Sequence, residues 1–255
     1  MPTRDRLPPN VADVVVLVDF DNVVPGAIPD ETRIGSLLDR IVALALDRWP
    51  DSSHIEILLY GGWLQDGVLT RRASELQASI ASARFFPFAH PQRQGLLRGN
   101  VALATRLSSV PELEWAHTLR ERQGMPRVRF RDGGYPLACL HRSNTCPLRT
   151  IRKFSRAHDE MCHATGCSVT NGGAFRAPEQ KMVDVMIACD VIDRAMSGLR
   201  VLVLSSDLDV LPAIAMASKL PRGEVAVLRV DRHSADLYDH ELANLGVHVG
   251  AWEGA

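Results

Sequence analysis

Hydrophobic positions along the chain form short apolar runs that alternate with segments of helical spacing. The runs that predict strands lie at about 13–19, 54–60, 200–204, 225–230 and 247–249. Apolar residues recur at helical spacing over about 32–48, and further helices are predicted over about 67–82, 179–196, 209–219 and 234–243. Because unbroken apolar runs are typical of parallel strands that are covered on both faces, this alternation predicts a three-layer α/β fold with a mainly parallel central sheet.

The middle of the chain departs from this pattern. A short strand near 84–86, a helix over about 112–123 and a strand over 127–131 are predicted there. Residues 132–178 then contain four cysteines, several Gly and Pro, and no long apolar run, which indicates an insertion without a hydrophobic core of its own. The predicted organisation is one domain over 13–250 with a module at 132–178 inserted in it.

The composition is that of an ordinary globular protein, since 46% of the 255 residues are hydrophobic and 23% are charged. The chain does not open with a basic segment followed by an apolar one, so no signal peptide is predicted. No apolar run reaches the roughly 20 residues that a spanning helix needs. We therefore expect a cytoplasmic protein without membrane association.

Carboxylates follow two of the apolar runs. Asp19 and Asp21 close the first run, and Asp207 and Asp209 follow the run at 200–204. Ligands of parallel α/β sheets bind outside the carboxyl ends of the strands, so these side chains are expected to meet in one crevice. Several carboxylates in one place repel each other unless a divalent cation joins them. Hard oxygen ligands of this kind favour Mg²⁺ or Mn²⁺ over zinc.

A third acidic element lies on the predicted helix before the second of these strands. Lys181 and Asp184 are three residues apart and share a face near the helix start, whereas Asp190 is rotated away from Asp184. The N-terminal end of this helix can therefore direct Asp184 into the crevice while the rest of the helix packs on the sheet.

Together these motifs resemble the NYN domain of the PIN-like nuclease superfamily. The resemblance is carried, in this order, by Asp19-Phe-Asp21-Asn22, Tyr60-Gly-Gly-Trp63, Lys181-Met-Val-Asp184 with Asp190, and Ser205-Ser-Asp207-Leu-Asp209-Val-Leu-Pro212. It covers about 13–131 and 179–250 of the chain. The family commonly has Gly where this chain has Ser206, and the insertion is not part of the family's minimal pattern.

The resemblance implies a Rossmann-like sheet and an endoribonuclease that hydrolyses RNA phosphodiester bonds with Mg²⁺ or Mn²⁺. The implied metal ligands are Asp19, Asp184 and Asp207, with Asp209 as a further ligand or a support. Asn22 would orient Asp19 or hold the substrate phosphate, and Lys181 would neutralise phosphate charge or tune Asp184. A divalent cation at such a site lowers the pKa of bound water and stabilises the leaving oxygen.

Two other interpretations stay open. Asp19-x-Asp21 after an apolar strand also matches the first motif of haloacid-dehalogenase-like phosphatases, in which Asp19 would be the covalent nucleophile and Asp21 the general acid. That interpretation uses Ser205, Lys219, Asp231 and Asp236 as the later motifs. It leaves the Lys181–Asp184 pair and the second Asp-x-Asp motif without a role. The third class is a binding module that holds RNA in a catalytically silent acidic pocket.

Four of the five cysteines cluster in the insertion, namely Cys139, Cys146, Cys162 and Cys167. In a chain without a secretion signal such a cluster favours a metal over disulfides, so a structural Zn²⁺ site is predicted. The spacing within each pair is wider than the common one, and His141, His158 or His163 could replace one thiolate. Cys189, which lies alone in a helical segment, is expected in the core.

Positive charge is concentrated around the same insertion. Arg outnumbers Lys 26 to 3 in the chain, and residues 117–158 contain ten basic side chains against two acidic ones. This local excess suits a polyanion, and Arg offers bidentate contacts to phosphate. The predicted RNA-binding residues are Arg149, Arg152, Lys153 and Arg156. RNA is the predicted partner, and the sequence defines no oligomeric state or protein partner. Trp63 is expected in the core, with stacking on a base as the alternative.

Overall fold

The computed structural model describes residues 13–26, 28–89, 96–113, 115–124, 147–162, 165–230 and 238–252. The strands are β1 (Val14–Asp19), β2 (His54–Tyr60), β3 (Leu64–Gln65), β4 (Val68–Leu69), β5 (Phe88–Ala89), β6 (Leu96–Leu103), β7 (Leu119–Gln123), β8 (Arg176–Gln180), β9 (Arg200–Leu204), β10 (Glu224–Arg229) and β11 (His248–Ala251). The helices are α1 (Phe20–Val23), α2 (Glu31–Arg48), α3 (Arg71–Ala83), α4 (Pro147–Phe154), α5 (Asn171–Ala174), α6 (Val183–Met196), α7 (Leu211–Ala217) and α8 (Asp239–Asn244), with a 3₁₀ turn at Leu208–Val210. None of the described helices combines the length and the apolar character that crossing a membrane requires.

The chain divides into two compact units, the first within residues 1–119 and 180–255 and the second within 120–179. The first unit is built on a seven-stranded sheet with the order β11-β10-β9-β1-β2-β6-β5. Neighbouring strands are parallel except for the pair β5 and β6. The predicted α/β class with a mainly parallel central sheet is therefore confirmed.

Helices cover both faces of this sheet. Because successive side chains of a strand point to opposite faces, the apolar run of β1 supplies two separate cores. Val14, Val16 and Val18 pack with α2 and α3, whereas Val15 and Leu17 pack with α6, α7 and α8. Each fully buried side chain of this size contributes about 1.5–3 kcal/mol to the hydrophobic stabilisation of the fold. The result is three layers with β1 at the centre.

The strand order reverses next to β1. The chain runs from β1 to β2 and β6 on one side, and then returns to β9, β10 and β11 on the other side. In doubly wound sheets the helices diverge at such a reversal and leave a crevice outside the carboxyl ends of the strands. The carboxyl ends of β1 and β9 are therefore the place in this fold where a ligand is expected.

Several predicted elements between β2 and α6 are wrong. The described residues of 112–123 contain strand β7 rather than a helix, and Leu119 lies so close to Gly62 that a Cβ there would be 2.9 Å from it. The short strand lies at 88–89 rather than 84–86, and α6 begins at Val183 because the residues up to Gln180 form β8. The predicted strand at 127–131 lies outside the described residues.

Strand β6 had no clear sequence signal. Arg98, Gly99 and Asn100 interrupt its apolar pattern. The structure explains the glycine, because a Cβ on Gly99 would lie 2.1 Å from the carbonyl oxygen of Ile55 on the paired strand. Only a residue without a side chain allows this close approach.

The second unit contains the described part of the segment that was predicted as an insertion at 132–178. Strands β7 and β8 form a two-stranded sheet, and α4 and α5 lie between them in the chain. The rings of Phe154 and Phe175 are 5.9 Å apart, and the buried Asn171 amide donates to the carbonyl of Phe154 over 2.7 Å. These two contacts join α4 to the segment around α5 within this unit.

Candidate metal centre

Three neighbouring strands place polar residues at one level of the carboxyl edge. The sheet register aligns Val18 of β1 with Leu204 of β9, and Leu204 with Leu228 of β10. The residues that follow these three are Asp19, Ser205 and Arg229. By strand alternation they face the same side of the sheet as the core formed with α6, α7 and α8.

Asp19 is buried and held by two hydrogen-bond partners. Its side chain is 4% exposed, and it accepts from the Asn22 side-chain amide and from the Ser205 hydroxyl, the latter over 3.2 Å. The backbone N–H of Asn22 donates to the other carboxylate oxygen over 3.4 Å, which makes Asp19 the N-cap of α1. Burial raises the pKa of Asp19 to about 6, against the opposing effect of these hydrogen bonds and with a smaller contribution from the charge of Asp184.

Three further carboxylates gather beside Asp19. Asp184, Asp207 and Asp209 each offer an oxygen, and these atoms all lie within 4.8 Å of one another. Burial raises the pKa of Asp184, and the charges of Asp207 and Asp209 raise it further. Asp19 does not belong to this close group, but the charge of Asp184 contributes to its raised pKa. The three carboxylates and Asp19 are called here the acidic cluster.

The residues before α6 position Asp184. The backbone N–H of Lys181 donates to the carbonyl of Thr118 over 3.0 Å, and Met182 adopts a left-handed conformation with φ of 65°. Such a φ is strained for a residue with a side chain. The turn starts α6 at Val183, so that Asp184 lies in the first helical turn, where the positive end of the helix dipole favours a carboxylate. The Lys181 side chain is half-buried at this turn.

Asp207 and Asp209 are held together by the 3₁₀ turn. Asp207 caps this turn and accepts from the backbone N–H of Asp209 over 2.9 Å, while its own N–H donates to the Ser205 hydroxyl over 3.0 Å. Ser205 thereby links the Asp207 backbone to the Asp19 carboxylate. Capping accounts for one oxygen of Asp207. It does not account for the approach of Asp184 and Asp209, which brings three negative charges together.

Asp21 does not belong to the acidic cluster. Its carboxylate forms an ion pair with Arg72 of α3, and the Arg72 guanidinium also lies 5.7 Å from the centre of the Phe20 ring. Burial raises the pKa of Asp21, while the Arg72 charge acts in the opposite direction. In the first of the two Asp-x-Asp motifs, Asp19 therefore lies at the candidate site and Asp21 forms a structural ion pair.

Asp190 also lies outside the acidic cluster. It is fully buried and accepts from the Tyr60 hydroxyl over 2.6 Å and from the backbone N–H of Ser108 over 2.9 Å. These contacts join α6 to the end of β2 and to the segment after β6. Trp63 is fully buried as well, and its indole N–H donates to the carbonyl of Leu59 over 2.7 Å. The expectation of a core role for Trp63 is confirmed, and stacking of this ring on a base is not open to it.

Arg229 was not among the residues that the sequence predicted for the site. Its side chain is 1% exposed at the end of β10, and its Nε lies 3.4 Å from a carboxylate oxygen of Asp239. Neither of its terminal nitrogens has a hydrogen-bond partner within the described part of the chain. In the sequence, an arginine at the end of an apolar run indicates only that a strand ends there. Its alignment with Asp19 and Ser205 follows from the register of the neighbouring strands, which the sequence does not show.

The predicted zinc ligands fall partly outside the described residues. Cys139, Cys146, His141 and His163 are among the residues that are not described, so the zinc site stays a prediction. Cys162 and Cys167 are half-buried thiols in the segment between Met161 and Thr170, which pair as an isolated bridge. Cys189 is exposed on α6, so its expected core position is wrong. The reason is that α6 buries the faces of Met186, Ile187 and Val191 instead.

The predicted RNA-binding residues lie on or just after α4. Arg149, Arg152 and Lys153 are in this helix, and Arg156 follows it. The side chains of Lys153 and Arg156 are exposed. The structure therefore places these residues in the second unit, and their contact with RNA stays a prediction.

The donor set of the acidic cluster fits a hard divalent cation. All its ligand atoms are carboxylate oxygens, which Mg²⁺ and Mn²⁺ prefer, and no described His or Cys belongs to the group. Burial is the main cause of the raised pKa values of Asp19 and Asp184, and the charges of neighbouring carboxylates raise them further, so a bound cation would favour the charged forms of both.

Comparison of the chain with protein-family models, with curated proteins and with solved structures gives no match in any of the three. The resemblance to NYN domains therefore rests on the motifs of the chain itself.

Proposed function

We propose that this protein is an endoribonuclease that uses Mg²⁺ or Mn²⁺ held at the acidic cluster. The observation that carries the proposal is the approach of Asp184, Asp207 and Asp209 to within 4.8 Å at the point where the strand order reverses. Residues far apart in the chain supply these charges, and their mutual repulsion would be unfavourable without a ligand. The motif resemblance to NYN domains supports RNA as the substrate class.

In this proposal the chain holds the cation and the substrate phosphate in fixed positions. Asp184, Asp207 and Asp209 bind the cation, Asp19 completes its negative surroundings, and Asn22 and Ser205 fix the orientation of Asp19. A divalent cation at such a site supplies an activated water and neutralises the phosphate. Lys181 lies before the turn that carries Asp184, and we assign it to the substrate phosphate.

The second unit is proposed to contribute affinity for RNA. Arg149, Arg152, Lys153 and Arg156 provide positive charge around α4, and Cys139, Cys146, Cys162 and Cys167 are proposed to hold a structural Zn²⁺. Metal analysis of the purified protein tests the zinc proposal. We expect zinc in the wild type and less of it in Cys146→Ser, and protein without zinc in both forms would refute it.

The experiment that tests the function is cleavage of labelled single-stranded RNA. We expect cleavage with Mn²⁺ or Mg²⁺, loss of cleavage with EDTA, and loss in Asp207→Asn at unchanged folding. Metal-independent binding of the RNA without any cleavage would instead support a binding module. Single-stranded DNA in a parallel reaction defines the sugar preference.

The phosphatase interpretation has one observation in its favour, because Ser205 contacts Asp19. The Arg72 ion pair opposes it, since a general acid at Asp21 must carry a proton before it donates one, and the neighbouring guanidinium favours the deprotonated carboxylate instead. Hydrolysis of p-nitrophenyl phosphate by the wild type, and its loss in Asp21→Asn, would support the phosphatase. Asp231 and Asp236, which that mechanism also uses, lie outside the described residues.

A further inference from the structure

The helices on the two faces of the central sheet differ in their outer surfaces. On one face, the exposed residues of α2 are all polar or charged, and those of α3 are polar, charged or alanine. On the other face, the exposed residues of α6 and α7, two helices that are described in full, are all apolar. These residues are Val185, Cys189 and Met196 of α6, and Pro212 and Met216 of α7.

The exposed residues of α6 form one continuous stripe along the helix. Val185 is 64% exposed and Met196 is 68% exposed, and the half-buried Ile192 lies between Cys189 and Met196. At 3.6 residues per turn, positions 185, 189, 192 and 196 fall within an arc of about 60°. These four residues are called here the α6 stripe. The charged residues of α6 lie outside this arc and are half-buried or buried.

Such a stripe is unusual on the outside of a globular protein. A surface helix normally presents its charged side chains to water, as α2 does. Single exposed apolar residues are common, but a contiguous group of them marks an interaction surface. The neighbouring helix α7 adds Met216, which is 55% exposed. We therefore expect another helix to cover the α6 stripe.

The spacing of the stripe indicates an identical helix as its partner. Its residues follow one another at intervals of four, three and four, which are the same in both directions along the chain. Alternating intervals of three and four are those of a coiled-coil seam, in which the apolar side chains of two helices interlock. A contact between two identical surfaces around a two-fold axis requires a surface that complements itself.

The sizes of the side chains favour an antiparallel pair. In that arrangement Val185 lies opposite Met196 of the second copy, and Cys189 lies opposite Ile192 of the second copy. Each level of the contact then combines a smaller side chain with a larger one, which allows close packing. A parallel pair would instead place the two Met196 side chains opposite each other and the two Cys189 side chains opposite each other, so that its levels would be unequal in width.

The area of this surface fits a dimer that dissociates on dilution. A helix of 14 residues is about 21 Å long, and two adjacent helices are roughly 20 Å wide. The surface of α6 and α7 therefore measures roughly 400 Å² in plan, which is about half of the 800 Å² that each partner buries in a stable complex. Interfaces at this lower end of the range belong to weak complexes.

We propose that the α6 stripe is the contact between two copies of this chain, which pack α6 against α6 in antiparallel orientation around a two-fold axis. This contact does not depend on the proposed nuclease function. It brings the two Cys189 thiols to adjacent levels of the helix pair, within about one helical turn of each other. Asp184 lies in the first turn of α6, so the Asp184 residues of the two copies lie at opposite ends of the pair.

Self-association is tested first by sedimentation equilibrium of the full chain between about 1 and 300 µM. We expect the average mass to rise from 28.1 kDa toward twice that value. Val185→Glu and Met196→Glu should each raise the dissociation constant of the dimer at least about tenfold, because the two-fold axis places each new charge in the contact twice. Both residues are exposed in the single chain, and thermal unfolding checks that the variants fold.

Val68→Glu is the matched control for these variants. Val68 lies on β4, outside the α6 stripe, and is 67% exposed, so it carries nearly the same exposed apolar surface as Val185. The variant should dimerise like the wild type. A loss of dimer in Val68→Glu equal to that in Val185→Glu would show that any added charge prevents association, and would refute a specific role of the stripe.

Cross-linking then tests the antiparallel arrangement. A short bismaleimide reagent should join two wild-type chains through Cys189, and denaturing electrophoresis shows the product as a band of twice the mass. This band should be absent in Cys189→Ser, which retains the other four cysteines, and weakened in Val185→Glu.

Three results would overturn this contact. One is a wild type that stays monomeric over the whole concentration range. Another is a dimer that persists unchanged in both glutamate variants, because its contact would then lie on a different surface. The third is a dimer that both glutamate variants weaken but that the reagent does not link through Cys189, which would contradict the antiparallel pair. RNA cleavage enters none of these measurements, so the nuclease proposal stands or fails separately.

Discussion

The carboxyl ends of β1 and β9 are neighbours in the sheet, and each is followed by an Asp-x-Asp pair. After β9, Asp207 and Asp209 both join the acidic cluster, because a 3₁₀ turn and the hydrogen bond between them hold their carboxylates together. After β1, Asp19 stays at the cluster and Asp21 pairs with Arg72 on the other side of the sheet.

Local helix geometry explains the difference. Asp19 caps α1 and Asp21 is already inside this helix, where each residue turns the side chain by about 100°. Two steps along a helix therefore rotate Asp21 far from Asp19, toward α3. The same Asp-x-Asp pattern thus gives one member of the acidic cluster after β1 and two after β9, depending on the turn that follows the strand.

The largest effect on RNA cleavage should come from replacing a carboxylate of the acidic cluster, compared with replacing the carboxylate that pairs with Arg72. Asp184→Asn should lower RNA cleavage at least about a hundredfold, because loss of a supporting partner of a metal ligand alone already costs 10- to 100-fold. Asp21→Asn is the matched control and should stay within about twofold of the wild type. Initial rates under saturating Mn²⁺ measure both. Equal loss of cleavage in the two variants would contradict the assignment of Asp184 to the acidic cluster and of Asp21 to a structural ion pair.

The buried carboxylate at the end of β1 should give cleavage a pH dependence. The pKa of Asp19 is about 6, so protons compete with the cation below that value, and the rate at subsaturating Mn²⁺ should fall by up to about tenfold per pH unit. The profile should be recorded from pH 5 to 8. A rate that stays constant through pH 6 would contradict a role for the Asp19 anion.

Metal binding by the carboxylates that follow β9 should also stabilise the fold. At a Mn²⁺ concentration of about 100 times Kd, the free energy of unfolding should rise by about 2.7 kcal/mol. Thermal unfolding with and without Mn²⁺ measures this gain. It should vanish in Asp207→Asn and persist in Asp21→Asn. Equal gains in the three proteins would place the cation elsewhere.

The smallest effects concern stability without metal. Since the pKa of Asp19 is raised in the folded state, the fold binds this proton more tightly than the unfolded chain, and the free energy of unfolding falls as pH rises from about 4 to about 6. Asp19→Asn avoids that loss and should be more stable than the wild type at pH 7 by about 1–2 kcal/mol.

Asp21→Asn should give a smaller gain, because burial also raises the pKa of Asp21 but the Arg72 charge offsets part of this cost. Urea unfolding of both variants in EDTA at pH 7 compares the two gains. A gain in Asp21→Asn as large as that in Asp19→Asn would show that the Arg72 ion pair does not offset the burial of Asp21.

The predictions from sequence were best where a segment carries its own pattern. The apolar runs at β1, β2 and β9 predicted strands at nearly the observed bounds, because burial on both faces requires continuous apolar residues. β6 and β7 were missed for the opposite reason. Gly99 and Leu119 have their roles only through contacts with Ile55 and Gly62, which no local pattern reveals.

The candidate site shows the same division. Residue type and position at a strand end or helix start were enough to make Asp19, Asp184, Asp207 and Asp209 candidates. Three other features depend on residues far away in the chain. Asp21 pairs with Arg72, Arg229 is aligned with Asp19, and Trp115 borders a cleft.

The sequence by itself determined the α/β class and the acids at the ends of the strands, because hydrophobic periodicity and strand termini are local properties. The tertiary structure alone decided which of those acids meet. Their distances depend on strand order, register and the turn that starts each helix, and these are set by packing between residues that are distant in the chain.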